Sequence, residues 1–111
     1  MWGDMSLDVS LTALVESSVF DRNITHNLGK MAHAAGLYEA IWRPEEINIS
    51  RAIDIIPFLE KGLKNLEKNK IELVKLNPEN GWGSYEGLVD FVKEYLEYCR
   101  IYPESKISVS R

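Results

Sequence analysis

Residues 7–13, Leu7-Asp8-Val9-Ser10-Leu11-Thr12-Ala13, alternate strictly between apolar and polar side chains. Period two marks a strand with one buried and one wet face. The far end of the chain carries a shorter copy, in which Ile107 and Val109 alternate with Lys106, Ser108 and Ser110. Neither strand is stable alone. Pairing them closes the chain and satisfies one edge of each. The pattern therefore predicts a small sheet that joins the N- and C-terminal strands.

The sequence between them is helical in period. Ile24, Leu28, Met31, Ala35, Tyr38 and Trp42 fall three and four apart and line one face of a predicted helix. Thr25 or Asn23 suits its N-cap, and Arg43-Pro44 ends it. Gly29 and Gly36 each weaken that helix by roughly 1 kcal/mol relative to alanine, and suit close approach of a neighbour. A second helix is expected from near Ser50, with Ala52, Ile56, Leu59, Leu63 and Leu66 as its buried stripe. Pro57 predicts a kink or a late start there. Glu60 and Lys64 stand one turn apart on its wet face. Lys70 to Leu76 read as a helical turn, and 77–83 as a loop of turn residues. Ser84 caps the last helix, whose apolar face is Tyr85, Leu88, Val92, Tyr95 and Cys99, with Pro103 just beyond its end. The expected class is α+β: three main helices plus a short one, packed against the terminal sheet. Leu28, Met31, Tyr38, Ile56, Leu59, Leu63, Leu88, Val92 and Tyr95 are the expected core. No repeat or linker divides the chain, so residues 5–111 are expected to form one domain. Residues 1–4 precede a second methionine, Met5, and read as an extension.

Composition removes several function classes. The chain has 111 residues, with 13 basic and 17 acidic side chains and a net charge of −4. That balance opposes broad binding to a phosphate backbone. Lys61, Lys64, Lys68, Lys70 and Lys75 are interleaved with Glu60, Glu67 and Glu72, so nucleic acid is an unfavoured partner. No apolar run approaches the ~18 residues of a membrane span, and none reads as a signal peptide. A single cysteine, Cys99, forms no internal disulfide, which fits a reducing compartment.

Candidate chemistry is sparse. His26 and His33 share a helical face in this reading, but at 1.5 Å per residue they stand ~10 Å apart. They cannot chelate one ion together, so no metal site is expected. Cys99 lies on an apolar stripe near a helix C-terminus, beside Glu97, and reads as a small core residue. Glu86, Asp90, Glu94 and Glu97, with Lys93 and Arg100 between them, read as a solvated helix face. No catalytic residue and no cofactor is expected.

Two segments stand out. Asn23-Ile24-Thr25-His26-Asn27 concentrates polar side chains at a helix start, more than capping needs. Asn80-Gly81-Trp82-Gly83-Ser84-Tyr85 sets a tryptophan between glycines. Either that loop folds back to bury the indole or it presents the indole to a ligand; burial is the expected outcome. Both segments lie at helix N-termini with unused backbone donors, and are predicted to lie side by side. Asn23, Thr25, His26 and Asn27 would then offer polar contacts, and Trp82 with Tyr85 a stacking surface. The alternative is that His26 and Asn27 only tie down the tryptophan loop.

The stretches Asn23-Ile24-Thr25-His26-Asn27-Leu28-Gly29-Lys30-Met31-Ala32, Ala35-Gly36-Leu37-Tyr38-Glu39, Trp42-Arg43-Pro44-Glu45-Glu46 and Asn77-Pro78-Glu79-Asn80-Gly81-Trp82-Gly83-Ser84-Tyr85-Glu86 resemble a group of small uncharacterised proteins of bacteriophages and prophages. The opening Met5-Ser6-Leu7-Asp8-Val9 fits the same group's usual start. The resemblance implies a source and a bacterial host cytoplasm. It implies no reaction, and it carries over no catalytic residue. The leading expectation is a non-catalytic, phage-encoded binding protein with a protein partner. The runner-up binds a small anionic or nucleotide-like ligand, with catalysis through His26 as its boldest form.

Overall fold

A computed structural model describes residues 6–13 and 18–111. The extension expected at residues 1–4 lies outside the described residues, as does Met5. Among these described residues, three strands and five α-helices follow in order: β1 (Ser6–Thr12), β2 (Ser18–Thr25), α1 (Gly29–Ala34), α2 (Tyr38–Trp42), α3 (Ala52–Lys68), α4 (Lys70–Val74), α5 (Tyr85–Ile101) and β3 (Lys106–Ser110). Short 3-10 turns at His26–Leu28 and Pro44–Ile47 join them. The class is α+β, and the terminal strands share one sheet.

That sheet is antiparallel with the order β2-β1-β3. Leu7 faces Ile24 and Leu11 faces Phe20 across one seam; Val9 faces Val109 and Leu11 faces Ile107 across the other. Leu7, Val9 and Leu11 are fully buried. The alternate residues of β1 and β3 form the wet face. β2 was not foreseen. Its inward row is Phe20, Arg22 and Ile24, so a charge interrupts the apolar alternation. Arg22 opposes Val9 on the inner side, ion-pairs with Glu94 of α5 and lies over the Phe91 ring at 5.9 Å. A tertiary partner thus makes the strand possible.

The predicted first long helix is divided. Ile24 belongs to β2, the chain turns through a 3-10 segment, and α1 ends at Ala34. Gly36, at φ +75°, breaks the helical path before α2 begins. Apolar spacing of three and four survives because each piece buries its own residues in the same core.

α3 starts at Ala52, and no late start occurs. Its first two amide N–H groups donate to Ser105 and Pro103 carbonyls at 2.8 and 2.9 Å, which replaces a water or side-chain cap. Pro57 is exposed and on the wet side, so the Ile53 carbonyl deprived of its helical donor is also there. The buried stripe is Ala52, Ile55, Leu59, Gly62 and Leu66. Ile56 and Leu63, expected inside, are only partly buried, as is Tyr38. Gly62 explains the shift, because Leu37 packs where a side chain would stand. Glu60 is reached by Arg100 of α5 at 2.8 Å rather than by Lys64.

α4 forms where a helical turn was expected. Ser84 Oγ accepts from the Gly87 N–H at 3.0 Å and caps α5. Tyr85, Leu88, Phe91, Val92, Tyr95, Leu96 and Cys99 are buried on its inner face. One core cluster joins the sheet's inner face to all five α-helices. Each fully buried Leu or Ile in it contributes about 1.5–3 kcal/mol.

Candidate functional site

Thr25 ends β2 and turns the chain: its Oγ1 accepts from the Asn27 N–H at 3.2 Å. The 3-10 turn that follows aims His26 inward. Trp42 Nε1–H donates to His26 Nδ1 at 2.7 Å, and Trp42 is almost wholly buried. Nδ1 therefore carries the lone pair, and the ring proton resides on Nε2. The Trp42 ring also stacks on Tyr38, which stacks on His33 at a centroid distance of 4.0 Å. Both histidines thus belong to one aromatic row at the foot of α1 and α2.

The tryptophan loop lies directly beside this turn. Asn27 Nδ2 donates to the Trp82 carbonyl at 3.3 Å. Asn80 Oδ1 accepts from the Trp82 N–H at 2.9 Å, and Asn77 Oδ1 accepts from the Tyr85 N–H at 2.8 Å. Gly83, at φ +107°, sits so close to Thr25 and Leu28 that an added Cβ would fall 2.8 Å from Thr25 Cγ2. The two segments, 23–27 and 80–85, are therefore in contact. Among their polar side chains, Thr25, Asn27, Asn80 and Ser84 bond nearby backbone.

Trp82 reverses an expectation. Its backbone is held on both sides, yet its side chain is 69% exposed rather than folded back. Tyr85 corrects another in the opposite sense. Its ring is buried, and its hydroxyl donates to the Leu66 carbonyl at 2.7 Å. It does not share a stacking surface with Trp82.

The expected polar contacts divide between two hollows. Asn23 and Thr25 line a hollow of about 290 Å³ with Arg22, Gly81, Gly83 and Ser84. His26 and Asn27 line a groove of about 660 Å³ with Lys30, Lys75 and the 76–80 stretch. Lys30 and Asn77 were not singled out from sequence; Lys75 was weighed only as a nucleic-acid contact, and Asn80 only as part of the tryptophan segment. Asn77 and Asn80 flanking Pro78 were the available signal, since asparagine side chains bond nearby backbone in turns.

Groups with reaction chemistry are placed elsewhere. Burial pushes the Cys99 thiol up to about 12, which keeps it neutral and poorly nucleophilic. Among the described residues, no group of three or more His, Cys, Asp or Glu side chains could hold a metal ion. Glu86, Asp90 and Glu97 are exposed, and Glu94 is tied to Arg22. No described helix is long and apolar enough to cross a membrane. No family profile, curated protein or solved structure matches the chain.

Proposed function

We propose that this chain is a non-catalytic binding protein whose recognition element is the Trp82 loop, with another protein as its partner. One observation carries the reading: an indole 69% exposed on a loop whose backbone N–H and carbonyl are both bonded to asparagine side chains. Exposed apolar side chains scattered singly are ordinary. An exposed tryptophan on a fastened backbone is different, because the loop's ordering entropy is met before any partner arrives. Tryptophan is also among the residues that dominate interface energies. The resemblance to phage and prophage proteins belongs to the same reading and puts the partner in a bacterial cytoplasm.

A second reading has its own support. The neighbouring groove, about 660 Å³, falls within the usual size of small-ligand sites. A small anionic or nucleotide-like molecule would fit it.

Native mass spectrometry separates the two. The chain and its Trp82→Ala variant are purified from the cells that make them. The first reading expects a protein-sized added mass on the wild type, lost in the variant, with stability unchanged within about 0.5 kcal/mol. An added mass of small-molecule size supports the second reading. Added mass that persists in Trp82→Ala contradicts the role of the indole.

A further inference from the structure

The groove beside the Trp82 loop carries more free hydrogen-bond donors than acceptors, and that excess names the chemistry of the partner on the reading just proposed. Its polar groups are oriented by bonds directed into the fold. The Tyr85 and Trp82 N–H groups can only donate, so the amide oxygens of Asn77 and Asn80 face them. Each of these side chains is left with its NH₂ group. His26 Nδ1 is occupied by Trp42, which leaves Nε2–H as its remaining donor. Among the described residues, nothing accepts from these three groups. Lys30 lines the same groove and forms no ion pair with a described residue. Lys75 adds a second cation, 3.5 Å from Glu72. Against these donors stand the Glu79 carboxylate and the Asn27 amide oxygen.

The donors sit on two walls, His26 to Lys30 on one and Lys75 to Asn80 on the other. One small anion offers a single acceptor group to donors spread over both. Several carboxylates carried along one extended chain reach both. We infer that the groove receives an acidic peptide segment of the partner, with its carboxylates on the Lys30, His26, Asn77 and Asn80 donors. Charge-assisted hydrogen bonds of this kind are the strong ones. The net charge of −4 opposes approach at long range, but physiological salt screens it beyond about 8 Å.

Calorimetric titration of the intact chain with an oligoglutamate peptide, and with an oligoglutamine peptide of equal length, tests this. Two variants accompany it. Asn80→Asp keeps the oxygen that holds the Trp82 N–H and replaces the free donor by a negative oxygen; Lys30→Glu reverses an exposed charge. Oligoglutamate should bind the wild type at least about tenfold more tightly than oligoglutamine, and each variant should lose about tenfold without a change in melting midpoint. Equal binding of the two peptides overturns the inference, as does variant binding equal to wild type. Binding of inorganic phosphate in place of oligoglutamate, lost in the same variants, also overturns it and assigns the groove to a free anion. If the peptide fails while Trp82→Ala still loses the cellular partner, only the acidic chemistry falls and the recognition loop stands.

Discussion

Trp42 Nε1–H donates to His26 Nδ1 at 2.7 Å, and this bond joins the first signature segment to the core. It makes His26 a structural residue first. His26→Ala strands a buried indole donor, which costs about 1–3 kcal/mol. Urea melts of the two proteins check this. A loss of only a few tenths would mean the bond contributes nothing, and would return His26 to the groove alone.

Gly62 decides how closely α3 approaches the residues before α2. In most helices glycine to alanine is stabilising by roughly 0.5–1 kcal/mol. Here a Cβ would fall 2.1 Å from Leu37 Cδ2. Gly62→Ala should instead lose about 1–3 kcal/mol by overpacking. A gain in melting temperature would show that Leu37 moves aside freely.

The same glycine shows why the helix phase was only partly legible. Apolar periodicity can see Ala52, Leu59 and Leu66, and it found them. It cannot see a buried glycine, so it rotated the stripe toward Ile56 and Leu63. The strands at the two ends were legible because their alternation is unbroken. β2 was not, because Arg22 occupies an inward position that only Glu94 and Phe91 make tolerable. Two helix starts with unused donors predict that segments 23–27 and 80–85 meet; they do meet, but through the Asn27 side chain and the close approach of Gly83 to Thr25 and Leu28. The exposure of Trp82 did not follow, since flanking glycines permit either direction of the indole and the local sequence does not choose between them.

Two tyrosines of α5 should respond in opposite ways to loss of the hydroxyl. Tyr85→Phe removes the bond to the Leu66 carbonyl and should cost about 0.5–1.5 kcal/mol. The buried Tyr95 hydroxyl has no partner among the described residues. Its ring contacts with Phe20 and Phe91 persist in phenylalanine, so Tyr95→Phe should be neutral or stabilising. Equal losses in both would contradict the distinction.

Alkaline pH should destabilise the fold through Cys99. Burial raises its thiol from 9.0 to about 12 in the folded chain. Between those values the unfolded thiol loses its proton and the folded one keeps it. The unfolded state then binds fewer protons, so stability falls as pH rises through this window. Tyr95, raised well above 10 chiefly by burial, acts in the same direction. Melting midpoints from pH 8 to 11 should fall, and Cys99→Ala should flatten the slope. Fast thiol labelling of the native chain at neutral pH would contradict the buried, neutral thiol itself.

The bonds from Asn80 and Asn27 present Trp82 on a fixed backbone rather than on a loose loop. The most direct measurement is the ¹⁵N order parameter of the Trp82 backbone amide in the free protein. The bonds from Asn80 and Asn27 predict a value near 0.85, the level of rigid backbone. A value below about 0.6 would mean the loop moves freely on the picosecond–nanosecond scale, and would contradict the fixed presentation of Trp82 that we propose.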